Sequence, residues 1–148
     1  MPMMDLTLPQ GTLDPDARTA LVDELTTVLL RAERAPDTDF FRSITWVYVH
    51  ELPATDVYAA GRPVDRPTVR LEVTTPEGAL SQRRRAELVG EATRVLREAI
   101  GIADEDAIRV WVVCHEVPEG SWGAAGEVVQ FQALRDAAVA AKAETATA

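Results

Sequence analysis

The chain has 148 residues, 47% hydrophobic and 26% charged, with 24 Asp and Glu against 15 Lys and Arg and a formal charge of −9. That is the size and apolar content of one compact domain, and it excludes two ordinary domains or a disordered segment. So acidic a chain gains nothing from counterion release on nucleic acid and is not drawn to anionic membranes, and no apolar run nears the roughly 20 residues of a bilayer-spanning helix.

In chain order, Met1-Pro2-Met3-Met4-Asp5 lacks the basic and apolar regions of a secretory signal, so a cytoplasmic protein is expected. Met3 to Leu8 alternates as a half-buried strand does. Gly11 marks a turn, and Asp14 before Pro15 is an N-cap with proline in the first helical turn. Leu21, Val22, Leu25, Val28 and Leu29 then form one apolar stripe at helical spacing. Ser43 to His50, rich in β-branched and aromatic residues, reads as the second strand. Val69 to Thr74 is a third strand, Gly78 a turn, and Ser81 the cap of a second helix. Its stripe is Leu88, Val89, Ala92, Val95, Leu96 and Ile100, with Gly101 as terminator. Ala107 to Cys114 is the fourth strand. The Ala-rich tail from Ala137 begins helical and is expected to fray by Glu144. Cys114 is alone, and His50 and His115 lack ligand spacing, so neither a disulfide nor a metal site is expected.

This order recurs because the sequence does. Pro9-Gln10-Gly11-Thr12-Leu13 returns as Pro76-Glu77-Gly78-Ala79-Leu80, at an offset of 67 that also relates Leu21-Val22 to Leu88-Val89. Trp46-Val47-Tyr48-Val49-His50-Glu51-Leu52-Pro53 returns, at an offset of 65, as Trp111-Val112-Val113-Cys114-His115-Glu116-Val117-Pro118. The chain is a tandem duplication, with one repeat at about 2–62 and the other at about 68–127 of a single domain spanning 1–130. Residues 131–148 form a C-terminal extension, helical then frayed. A helix joining parallel strands makes a right-handed β-α-β unit, and two of them predict an α+β fold: a four-stranded sheet with two helices on one face. Two helices cannot cover both faces. Trp46, Tyr48, Trp111 and Val113 would lie open, which predicts an oligomer.

A duplicated β-α-β unit with Pro2 directly after Met1 resembles the tautomerase superfamily, in the fused, double-length layout of cis-3-chloroacrylic acid dehalogenase. The resemblance spans about residues 2–130. It rests on Pro2, the Gly11 and Gly78 turns, the two Glu-x-Pro segments, and Pro118-Glu119-Gly120-Ser121-Trp122-Gly123-Ala124-Ala125-Gly126, which is similar to the family's aromatic-Gly hairpin. It implies removal of Met1, use of the free Pro2 nitrogen as catalyst, and a homotrimer that covers the open sheet face. The chemistry follows from the group: an α-amine has a pKa of about 8, burial lowers it, and a neutral secondary amine is a competent base beside a carbonyl.

Other family positions differ. The arginine after the first turn glycine is Thr12 here, with Ala79 in the second repeat. The dehalogenase's arginine pair falls at Pro76 and Ala79, and the mid-strand arginine at Trp46 or Trp111. Its histidine, tyrosine and glutamate fall at Leu29, Val113 and near Ala124. Arg42, Arg62, Arg70 and Arg109 are the candidate replacements, and without them dicarboxylates should be handled poorly. Trp46, Tyr48, Arg70, Trp111 and Trp122 are candidate substrate-binding residues, each with a packing role as its alternative. Glu77 would lie near Pro2 if the third strand ends beside the start of the first. His50 and His115 read as strand-end residues, and Arg83, Arg84 and Arg85 as a solvated or interface cluster. The expected function is a cofactor-free keto-enol tautomerase acting on a small carbonyl or enol compound. A biosynthetic enzyme for a larger hydrophobic carbonyl compound, or a catalytically silent binding protein of the same fold, are the alternatives.

Overall fold

The structure is a computed structural model that describes residues 2–146. Strand β1 (Met3–Pro9) turns at Gly11, where φ is +75°, into helix α1 (Pro15–Glu33). A short helix α2 (Asp39–Ser43) precedes β2 (Trp46–Leu52), and a small hairpin, β3 (Tyr58–Ala59) and β4 (Arg62–Pro63), closes the first unit. The second unit repeats the plan with β5 (Val69–Pro76), α3 (Gln82–Ile100), β6 (Val110–Val117) and the hairpin β7 (Gly123–Ala124) and β8 (Glu127–Val128). Helix α4 (Phe131–Ala146) ends the described chain. None of the described helices is long and apolar enough to cross a membrane.

The helix starts are set by side chains that satisfy free N–H groups. The Asp14 carboxylate accepts from the Ala17 N–H at 2.8 Å, and the Ser81 hydroxyl accepts from the Arg84 N–H at 3.3 Å. Both long helices end in a left-handed residue: Gly101 with φ +78°, and its counterpart Arg34 with φ +57°. The hairpin turns also match, with Ala60-Gly61 and Ala125-Gly126 all at positive φ.

The sheet order is β2-β1-β5-β6. Each unit contributes a parallel pair, and β1 and β5 join antiparallel at the centre, with Leu6 opposite Leu71 and Asp5 opposite Glu72. Strand alternation sends Met4, Leu6, Leu8, Val69, Leu71 and Val73 under the helices. There they meet Leu21, Leu25, Leu29, Leu88, Val95 and Leu96. Each such side chain contributes about 1.5–3 kcal/mol on burial. The opposite face carries Trp46, Tyr48 and Trp111 with relative exposures of 59%, 46% and 62%.

Two expectations shift. The second strands begin at Trp46 and Val110, three residues later than the apolar pattern predicts, because helical turns occupy Asp39–Ser43 and Asp104–Arg109. Thr38 caps the first of these, and each strand's leading indole donates back to its turn: Trp46 Nε1 to the Ser43 carbonyl at 3.1 Å, Trp111 Nε1 to that of Ile108 at 3.0 Å. The last helix starts at Phe131, not Ala137, since Phe131 is buried and its N–H is held by the Glu119 carboxylate at 3.0 Å. Its backbone stays helical past Glu144 to Ala146, and Thr147 and Ala148 lie outside the described residues.

Candidate active site

Pro2 is buried just before β1, and its carbonyl accepts the Trp46 N–H at 3.3 Å. The antiparallel seam, with Met3 opposite Thr74, carries the end of β5 to the same place. Pro2, Pro76, Gly78 and Ala79 therefore share one cavity of about 340 Å³. Phe41 and Ile44, from α2 and the residue after it, wall one side, and Phe131, Leu134 and Ala138 of α4 line another. Leu30, Phe41 and Phe131 are buried outside the main core, and the two phenylalanines line this cavity.

The polar groups come from three helices and their ends. Glu33 closes the last turn of α1 and lines the cavity with Arg34; Arg84 reaches it from the start of α3, and Arg135 and Lys142 from α4. Arg84 Nη1 also donates to the Ala32 carbonyl at 3.1 Å, which ties the start of α3 to the end of α1. Loss of hydration pushes the Glu33 carboxyl from 4.5 up to about 7, against the opposing positive charges of the chain's amino terminus and Arg84. A carboxyl that titrates near neutrality faces the same cavity as Pro2, so the cavity can both take and give a proton. Among the described residues, no group of three or more His, Cys, Asp or Glu could hold a metal ion.

The five candidate substrate-binding residues lie elsewhere in the single chain. Trp46, Tyr48, Arg70 and Trp111 stand on the open face of the sheet. Tyr48 meets Trp46 edge to face at 6.5 Å and stacks on His50 at 6.4 Å, while Arg70 pairs with Glu72 at 3.1 Å. Trp122 is half-buried at the second hairpin, its carbonyl accepting the Val129 N–H at 2.8 Å. None of the five lines the Pro2 cavity.

Glu77 is exposed, so the carboxylate in the cavity is Glu33 instead. His50 reaches Asp5 at 2.7 Å and His115 reaches Glu72 at 3.2 Å, equivalent pairs in the two units. Arg42 is held by Asp23 and Asp37, and Arg109 by Asp65 and Asp106; neither lines the cavity, nor does Arg62. Cys114 packs against the core, where burial pushes its thiol up. Glu33 went unread in the sequence although it carried a signal: it continues the row Leu21, Leu25, Leu29 at a spacing of four, an acidic residue on an apolar stripe.

A family profile described as tautomerase enzyme matches residues 67–132. A search of the curated proteins found no match to this sequence. Among solved structures, a wild-type fused 4-OT that forms an asymmetric trimer is 18% identical with a TM-score of 0.72, over 90% of this chain and 98% of its own. A member of the cis-3-chloroacrylic acid dehalogenase family is 20% identical with a TM-score of 0.71, over 86% of this chain and 82% of its own. Macrophage migration inhibitory factor of Toxoplasma gondii is 12% identical with a TM-score of 0.68, over 86% and 99%. The chain has the α+β fold of the tautomerase superfamily in its fused, double-length layout, and residues 67–132 carry the family's sequence signature.

Proposed function

We propose that the protein is a cofactor-free keto-enol tautomerase whose base is the Pro2 amine, freed by removal of Met1. The observation that carries this reading is the burial of Pro2 in a largely apolar cavity that also holds a carboxyl titrating near pH 7. The Pro2 nitrogen takes a proton from the carbon beside the substrate carbonyl, and the Glu33 carboxylic acid gives one to the carbonyl oxygen. Ketonisation of an enol runs both transfers backwards. Near pH 7 Glu33 is present in both protonation states, so it serves in either direction.

The protein acts as a homotrimer in this reading. The open sheet face supports that, since closed cyclic symmetry is the usual way to cover such a surface, and so does the trimeric fused relative.

The test is intact mass of untagged protein followed by ketonisation of phenylenolpyruvate. The protein should begin at Pro2, and Pro2→Ala should lower the rate about 10²–10⁴-fold, the usual worth of a placed general base. Retention of Met1 in most molecules, or an unchanged rate in Pro2→Ala, would overturn the mechanism. Light scattering that returns the monomer mass of 16.1 kDa would overturn the trimer.

A further inference from the structure

Among the described residues, ten arginines lie within ion-pair distance of a carboxylate. Among the described residues Arg34, Arg62, Arg84 and Arg135 do not, and three of these four line the Pro2 cavity. In a chain with 24 acidic residues against 15 basic ones, partners are not scarce. The one carboxyl among the cavity's lining residues is Glu33, which faces Arg84 and is hard to ionise there, so three guanidinium groups outnumber it and leave a place for an anion from outside. Arg135 is the most available of the three, because its Nε and Nη2 share only the neutral Gln132 Oε1, at 3.3 and 3.2 Å. Arg84 spends a donor on Ala32, and Arg34 is exposed at the helix end.

The same helix supplies apolar surface. Leu134 and Ala138 lie four residues apart on α4, both half-buried and both in the cavity wall. Phe131 anchors the start of the helix by its own burial and by its N–H bond to Glu119. The next turns cover the cavity without reaching full burial themselves. A ligand in the cavity would complete their packing.

Resting on the tautomerase reading, we infer that α4 determines substrate specificity: Arg135 holds the anionic end, and Leu134 and Ala138 the apolar body, of an amphipathic monoanionic carbonyl compound. The C-terminal extension is then part of the site. The chain prefers an aryl or alkyl enol acid to a small dicarboxylate, which has no apolar body to pack on Leu134 and Ala138.

Calorimetric titration of the full chain with cinnamate and with its uncharged amide, cinnamamide, tests this without any turnover. Cinnamate should bind about tenfold or more tightly than the amide. Arg135→Gln should remove most of that preference and leave amide binding unchanged. Ala138→Trp should weaken both ligands about tenfold by filling the space of the apolar body, and Leu134→Ala gives a second, gentler reading of the same wall. Equal binding of acid and amide by the unsubstituted chain, no binding of cinnamate, or wild-type affinities in both Arg135→Gln and Ala138→Trp would overturn the assignment. Cinnamate bound as expected by a chain that turns over no enol sinks the Pro2 mechanism and leaves α4 as the specificity element. Turnover that ignores Arg135 and Ala138 sinks α4 and leaves Pro2.

Discussion

The two repeats end their long helices in the same way and then diverge. In the first, Glu33 and Arg34 close α1, Leu30 is 1% exposed, and Phe41 of α2 is 6% exposed beside the Pro2 cavity. At the positions matching Glu33, Arg34 and Leu30 the second has Ile100, Gly101 and Arg97, and Ile108, the large apolar residue of its helical turn before the strand, is 79% exposed. There the hollow beyond the helix is a polar surface recess, lined by Arg94, Arg97 and Glu98, with Arg97 paired to Asp104. Pro2 has Val69 as its counterpart, a core residue within the chain with no free amine. One scaffold therefore serves two ends. What turns one end into a candidate active site is the apolar cover from α2 and α4, which makes Glu33 hard to ionise and keeps Pro2 out of bulk water.

The sharpest break between the ends is chemical. Pro2→Ala should cost 10²–10⁴ in kcat/KM toward an enol, about 3–5 kcal/mol of barrier, while thermal unfolding moves little. A parallel loss of folding would show that Pro2 is needed for structure instead.

Next in size is the cover itself. Phe41→Ala should destabilise by about 3 kcal/mol, as a buried aromatic does, and Ile108→Ala by under about 0.5 kcal/mol, read as paired denaturant midpoints. Similar losses at both positions would mean the ends are not packed differently.

Glu33 sharpens the electrostatic half. Its folded pKa is raised to about 7 from 4.5, so folding favours the protonated form. That stability is fully present below pH 4.5 and is lost as pH rises through 7. Glu33→Gln should thus match the parent at pH 4 and exceed it by about 2 kcal/mol at pH 8, after discounting for the part of the carboxyl open to the cavity. Thermal unfolding at the two pH values checks it, and Glu33→Gln should also remove the limb near pH 7 from the rate profile. The smallest effect is at the helix ends. Arg34→Gly relieves a left-handed non-glycine residue and Gly101→Ala installs one with nothing within 4 Å of its Cβ, so melting should rise in one and fall in the other, each by about 1 kcal/mol.

Much of the fold was legible because it rests on local chemistry repeated twice. Asp14, Ser81 and Gly101 act as caps and terminator as read, and the alternation of Met3 to Leu8 and Val69 to Thr74 predicts strands that the structure contains. The strand starts at Trp46 and Val110 were misread because Ile44, Thr45 and Ile108 carry the β-branched pattern back to the helical turns, whereas indole-to-carbonyl bonds tie each strand start to its turn. The cavity was illegible for a different reason. Its members Pro2, Glu33, Phe41, Arg84 and Arg135 come from five separated segments, and only the seam between β1 and β5 and the path of α4 bring them together. Composition shows many arginines but not which of them lack a partner. The open-face residues Trp46, Tyr48, Arg70 and Trp111 drew attention because aromatic strands are conspicuous in sequence, whereas a lone Glu at a helix end is not.

The central seam has one more consequence. The units meet through β1 and β5, and the chain between them, residues 64–68, runs over the surface with its charges paired to the second unit by Arg66–Asp106 and Arg109–Asp65. Covalent continuity there contributes chiefly an effective concentration, since the strand pairing and the shared helical layer are contacts between whole units. Cleavage at Arg66 would turn an intramolecular junction into a bimolecular one. The protein would then keep its architecture at high concentration and come apart on dilution, with a melting temperature that depends on how much of it is in the tube.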